Sequence, residues 1–181
     1  MNLGAPSEIA TLAGGCFWCI EAVFDKIKGV VSATSGYSGG EVANPSYEQV
    51  CAGGTGHVEV VEVEYDPSQV SYMQLLSVFF SVHDPTTMDR QGGDMGEQYR
   101  SVIFYADEEQ KKQAEAFINN LKKEEIFSQP IVTVVVPLQA FYKAEAYHQE
   151  YYAKHPERTY CQVVISPKLA KLKEQFKHLL Q

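Results

Sequence analysis

Cysteine is scarce in this chain: Cys16, Cys19, Cys51 and Cys161 are four residues in 181. They are too few and too scattered to staple a small secreted fold, so a reducing cytoplasm is the expected setting. Long apolar runs are missing, and none approaches the roughly 20 residues of a membrane span. Positive charge is also short. A formal net charge of −8 argues against a nucleic-acid or anionic-membrane surface. The opening residues, Met1 to Glu8, carry neither a basic segment nor a long apolar one, which predicts no secretory signal. No internal repeat, low-complexity tract or linker stands out, and no phosphate loop or GxGxxG fingerprint occurs. What remains is 45% hydrophobic and 21% charged, enough to build a core. The length points to one domain over residues 1–181.

Gly14-Gly15-Cys16-Phe17-Trp18-Cys19-Ile20-Glu21 carries the most information. A short apolar run, Ile9 to Ala13, precedes it, and Phe17, Ile20, Phe24 and Ile27 follow at helical spacing. Cys16 is therefore expected at the start of a helix, where free N–H groups and the helix dipole favour a thiolate. Two glycines allow a sharp turn that leaves the sulfur uncovered. A buried cysteine acting as a small hydrophobe is the alternative. With Cys19 the segment reads CxxC, which suits a redox pair or half of a zinc site. Cys51 and Cys161 are single and distant, so a four-ligand zinc site lacks its second pair and no metal is expected.

Strands and helices mix along the rest of the chain. Strands are predicted over Val30 to Tyr37, His57 to Tyr65, Ser101 to Tyr105 and Ile131 to Val136. A helical turn is predicted over Tyr47 to Cys51. Longer helices are predicted from a Ser71 cap to Val82, from Asp107 to Phe127 and over Ala140 to Lys154. Ser166-Pro167 reads as an N-cap with proline in the first turn of a final helix. Several connections are of hairpin length, so the expected fold is α+β: a single-domain two-layer sandwich with a mixed β-sheet flanked by helices.

On the strand from His57, side chains alternate between faces. Glu59 shares parity with Val61, Val63 and Tyr65, whereas Glu62 and Glu64 lie on the other face as solvated charges. A carboxyl on the apolar face is desolvated, which raises its pKa and lets it donate a proton. At the strand end the face can also be wet, which leaves Glu59 ordinary. A third cluster, His83-Asp84-Pro85 and then Asp89 to Arg100, is a glycine-rich polar loop of the kind that carries sites. Its carboxylates lack the spacing of a calcium loop.

These clusters together resemble the methionine sulfoxide reductases of type A. The matching segments are Gly15-Cys16-Phe17-Trp18, Asn44-Pro45-Ser46-Tyr47, Gly56-His57-Val58-Glu59 with Tyr65-Asp66-Pro67, Asp94, and Gln98-Tyr99-Arg100-Ser101. A looser match runs through Ala144 to Gln149. The resemblance implies reduction of the S epimer of methionine sulfoxide, free or in proteins. By it, Cys16 is the nucleophile, Glu59 the proton donor, and Tyr47 and Tyr99 further hydrogen-bond donors. Phe17 and Trp18 hold the substrate methyl, and Asp94 fixes its polar side. Cys16 becomes a sulfenic acid, which a second thiol converts to a disulfide. Thioredoxin, or dithiothreitol in vitro, then reduces that disulfide, and no bound cofactor is needed. Many members have glycine at the position of Cys19. A cysteine in a YC segment near the C-terminus resolves the sulfenic acid in some, and Tyr160-Cys161 is similar. Cys161, on a segment expected to move, is favoured over Cys19, and Cys51 is read as packing. The protein is expected to act as a monomer. Three other classes compete: a thioredoxin-like CxxC oxidoreductase, a cysteine hydrolase pairing Cys16 with His57 or His148, and a binding module anchored by Phe17 and Trp18.

Overall fold

A computed structural model of the chain describes residues 6–181. Residues 1–5 of the segment read for a leader lie outside the described residues. In chain order the elements are β1 (Glu8–Gly14), α1 (Phe17–Phe24), β2 (Val30–Ser38), α2 (Tyr47–Ala52), β3 (Val58–Tyr65), α3 (Tyr72–Val82), β4 (Arg90–Gln91), β5 (Asp94–Met95), β6 (Ser101–Tyr105), α4 (Glu108–Lys123), β7 (Val134–Pro137), β8 (Tyr142–Lys143), α5 (Tyr151–Lys154) and α6 (Ser166–Gln175). One sheet has the order β7-β6-β1-β3-β2-β8. Its pairs are antiparallel except β6 with β7, so it is mixed. β4 and β5 form a separate hairpin inside the glycine-rich loop, turning at Gly92 with φ +58°.

The sheet separates two apolar layers. On one face Leu12, Val61, Val63, Tyr65 and Ile103 join α1, α3, α4 and α6 in the main core. On the other, Ala13, Val58, Val60, Val102 and Phe104 lie under Val136, Leu138 and Phe141. This is the expected α+β sandwich. Ser46 and Ser71 each close a capping box, with Gln49 and Gln74, and Asp107 caps α4 through the Gln110 N–H, so those helix starts were legible. Among the described residues, no helix is long and apolar enough to cross a membrane.

The second half departs from expectation in four places. α4 ends at Lys123 rather than Phe127, and Glu125 then takes a left-handed φ of +52°. The strand over Ile131 to Val136 shortens to β7, because only that stretch runs parallel to β6. Ala140 to Lys154 is not one helix. It supplies β8, a 3₁₀ turn at Ala146–His148 and the single turn α5. Here the chain completes the sheet edge: β8 pairs with β2, and the Gln149 amide bonds Ser35 N and O at 3.0 and 2.9 Å, like one more strand residue. Ser166 is no N-cap. It is helical, at φ −56° and ψ −41°, because α6 continues from a π-helical turn over Cys161–Ile165.

Candidate active site

Cys16 is the N-cap of α1, reached from β1 through Gly15 at φ +95°. A β-carbon on Gly15 would lie 2.6 Å from the Gln91 side chain, so the turn requires glycine. Its thiol is not exposed: Cys16 is 8% accessible and packs with Cys19, Cys161, Trp18, Tyr99 and Tyr160. Burial pushes the thiol well above its usual range, and a hydrogen bond with Cys19 and the nearby Glu59 carboxyl add to the effect. The expected thiolate at the helix start is thus overridden by desolvation. The lowered thiol is Cys19 instead, held down first by its hydrogen bond with Cys16, then by Tyr160 and the Lys168 charge.

Glu59 lies on the core face of β3, as its parity predicts, and is 3% accessible. Burial raises its carboxyl well above the carboxylate range, with Asp94 and Cys19 adding to the rise and the Phe17 backbone N–H opposing it. Its Oε2 has no hydrogen-bond partner among the described residues. This environment favours the protonated form of Glu59. Glu62 and Glu64 are partly buried rather than simply solvated. Burial raises Glu62, and Glu64 accepts from Ser7 at 2.6 Å. Burial raises both the Tyr47 and Tyr99 hydroxyls, with the Cys51 hydrogen bond adding at Tyr47 and the Glu59 charge adding at both. Tyr99 packs against the Cys16 cluster, and the Tyr47 ring lies 4.5 Å from that of His148. Asp94, on β5, borders the same cavity of about 500 Å³ as Cys16 and Cys19. Phe17 is buried, with its ring 5.7 Å from Tyr37. The fold thus brings together every residue that the sequence singled out around Cys16.

Cys161 is also here. It is fully buried on the π-helical turn, in one cluster with Cys16 and Cys19. Burial raises its thiol. Cys51, read as packing, is instead exposed on α2. The hydrolase reading loses a base. His57 accepts from Gly40 N at 3.1 Å, and its other ring nitrogen lies 2.7 Å from Val42 O. His148 Nδ1 accepts from Trp18 Nε1 at 3.0 Å. Among the described residues no three His, Cys, Asp or Glu side chains gather where they could hold a metal ion.

Several residues around the site were given no role of their own in the sequence. Tyr151 stacks on Trp18, with centroids 3.7 Å apart and planes at 5°. Tyr160 meets the same indole edge-on at 5.8 Å and donates to Asp94 at 2.6 Å. Glu145 accepts from Tyr37 OH and from Tyr47 N, joining β2, α2 and the C-terminal segment. Glu21, on α1, accepts from Glu150 N at 3.0 Å. The signal that could have found the aromatic members is the density of tyrosine at positions 142, 147, 151, 152 and 160.

A family model described as peptide methionine sulfoxide reductase matches residues 8–180. The chain is 56% identical to the peptide methionine sulfoxide reductase MsrA of Chromobacterium violaceum, covering 96% of this chain and 99% of that protein. It is 53% identical to the MsrA of Thermus thermophilus, covering 97% and 99%. Among solved structures, reduced Mxr1 from Saccharomyces cerevisiae aligns with a TM-score of 0.79 at 35% identity, over 86% of this chain and 90% of that one. Mxr1 in complex with Trx2 aligns with a TM-score of 0.56 at 26% identity, over 81% and 85%. With a buried acid set beside a cysteine at a helix start, and with similarity along nearly its whole length, the chain belongs to the peptide methionine sulfoxide reductase family.

Proposed function

We propose that the protein reduces the S epimer of methionine sulfoxide, free or in proteins, with Cys16 as nucleophile and Glu59 as proton donor. The observation that carries this is Glu59: a carboxyl kept protonated by burial, one oxygen unpartnered among the described residues, beside a thiol. Glu59 gives its proton to the sulfoxide oxygen as Cys16 sulfur attacks the substrate sulfur, and the Cys16 thiol proton restores Glu59. The hydroxyl then passes from the substrate sulfur to Cys16 sulfur as the newly formed sulfur–sulfur bond and the substrate's sulfur–oxygen bond break, so that methionine leaves and Cys16 is a sulfenic acid. Tyr47 and Tyr99 donate to the same oxygen. Phe17 and Trp18 receive the methyl, and Asp94 receives the polar side of the substrate.

Resolution uses both remaining buried thiols. Cys19, the lowered thiol, attacks Cys16 sulfur, forming a Cys16–Cys19 disulfide and releasing water. Cys161 then attacks Cys19, which frees Cys16 and carries the disulfide to the C-terminal segment. A dithiol protein such as thioredoxin reduces it, itself becoming the disulfide, and the Mxr1–Trx2 complex supports this partner. A reducing cytoplasm, which keeps thiols available for such a cycle, is the proposed setting. Residues 1–181 act as one domain, supported by a core that runs from Ala10 to Leu179.

A single-turnover assay on separate epimers, with thiols counted before and after, tests the whole scheme. It should show two thiols lost per methionine formed from the S epimer and no loss with the R epimer. Equal rates on both epimers, or product without thiol loss, would overturn it. For the relay, Cys161→Ser should stop at a Cys16–Cys19 disulfide after one turnover. Normal thioredoxin-supported turnover in that variant would remove Cys161 from the scheme.

A further inference from the structure

Tyr160 stands where the substrate has to go. Its hydroxyl donates to Asp94 Oδ2 at 2.6 Å and lies 3.6 Å from Cys19 Sγ. Its ring stands edge-on to Trp18, whose indole also carries Tyr151 in a parallel stack. Asp94 is the polar anchor assigned above to methionine sulfoxide, and Trp18 is part of the wall assigned to its methyl. One side chain therefore touches both ends of the proposed substrate position, and it borders the same cavity as Cys16. The hydroxyl is also joined to the cysteine pair, because both Cys16 and Cys19 respond to it.

The backbone on both sides of Tyr160 is irregular. Tyr160 directly precedes the π-helical turn Cys161–Ile165, a feature that frequently marks functional sites in helices. On its other side, residues 155–158 carry no regular element.

We propose that Tyr160 is a built-in competitor of the substrate: its hydroxyl holds Asp94 in the resting enzyme, leaves when methionine sulfoxide binds, and returns when methionine departs. This deepens the function proposed above and rests on Asp94 as the substrate's anchor. A hydroxyl-to-carboxylate bond is strong enough to compete and weak enough to be displaced, and its loss corresponds to roughly a tenfold change in an equilibrium constant.

Trp18 is the single tryptophan of the chain, so its fluorescence reads binding without turnover. Cys16→Ser protein, titrated with the S epimer of methionine sulfoxide, gives Kd directly. Adding Tyr160→Phe keeps the ring against Trp18 and deletes the hydroxyl. Kd should fall roughly tenfold. With dithiothreitol as reductant, KM of the Tyr160→Phe enzyme should fall by a similar factor. In an Asp94→Asn background the gain from Tyr160→Phe should shrink, because the contested carboxylate is gone. An unchanged or weaker Kd in Tyr160→Phe overturns the proposal and makes Tyr160 part of the substrate's wall. An equal gain with and without Asp94 also overturns it. Turnover of the S epimer by the unmutated enzyme is read separately. Its absence would sink the proposed function, while the Kd comparison would still decide the role of Tyr160.

Discussion

Glu59 stands on a central strand and Phe17 on α1, with Cys16 capping that helix, whereas Tyr151, Tyr160 and Cys161 stand on a segment from Leu138 to Ile165 made of short turns with little sheet ladder. β3, which carries Glu59, pairs on both sides, with β1 and β2. The segment over the site pairs through β8 at two positions. Two more backbone bonds tie it to the sheet, Leu138 N–H to Tyr105 O and Ala144 N–H to Ser35 O, each at 2.9 Å. The other ties are made by side chains: Trp18 to His148, Tyr37 to Glu145, Gln149 to Ser35, Glu21 to Glu150 and Tyr160 to Asp94. Each such bond contributes about 1 kcal/mol, more where a charge is involved. A sheet strand opens only with the whole core, while an arm held by side chains can lift piece by piece. The difference suits the two tasks. Transfer of oxygen needs a fixed acid and sulfur, and disulfide relay needs a segment that can move.

If the floor alone carries the chemistry, the largest effects belong there. Cys16→Ser should abolish reduction of methionine S-sulfoxide even with excess dithiothreitol, and retained turnover would break the comparison at its centre. Glu59→Gln keeps a hydrogen-bond donor but loses the transferable proton, so the single-turnover rate should drop by about 10²–10⁴-fold. A loss under about tenfold would take Glu59 out of the acid's role. The sign of its pH dependence follows from the same burial. The active form of Glu59 is protonated and its pKa is raised, so the rate should hold through neutral pH and fall on the alkaline side. A rate rising with pH across neutrality would contradict this.

Substitutions where the arm meets α1 should change stability and binding rather than chemistry. Glu21 is buried, and its carboxyl is pushed up to about 7, mainly by desolvation, with Asp25 and Glu150 adding and Lys154 opposing. Its folded pKa lies above the ordinary 4.5, so the folded form holds the proton more tightly. Its contribution is complete below about pH 4.5 and is lost as pH rises through about 7. That span corresponds to ~3 kcal/mol. Urea denaturation of Glu21→Gln at pH 5 and pH 8 should show a flatter pH dependence than the unmutated protein. Parallel curves would show that Glu21 does not link the arm to pH.

The smallest effect is expected at His148. Its Nδ1 accepts from Trp18, so its neutral ring carries the proton on Nε2, which is buried and unpartnered among the described residues. His148→Phe keeps the aromatic packing with Phe17 and Tyr47 but frees the indole. A lost hydrogen bond of ~1 kcal/mol corresponds to roughly a fivefold rise in KM, with kcat little changed. A fall in kcat of about a hundredfold, the scale of a general acid, would move His148 from positioning into the chemistry.

Local rules reached far into this protein. The parity of Glu59 on β3, the Gly14-Gly15-Cys16 turn into α1 and the capping boxes at Ser46 and Ser71 follow from neighbours within a few residues, and sequence order holds those neighbours together. The helix expected over Ala140 to Lys154 failed for the converse reason. Its partners are Ser35, Trp18, Glu21 and Tyr37, more than a hundred residues away. Propensity yields to such tertiary bonds, as it does at Glu150, held at φ +55° beside Glu21. The state of Cys16 was decided in the same way. Position in the chain puts its sulfur at a helix N-terminus, which favours the thiolate. Only the assembled fold buries it beside Glu59 under Tyr160, and desolvation there outweighs the dipole. The sequence by itself determined where Cys16 sits at the start of α1 and which sheet face holds Glu59, because side-chain period and turn chemistry are local. The tertiary structure alone decided which thiol is lowered, what covers the site and which side chain sits on Asp94, because those depend on groups that only folding brings within a few ångströms.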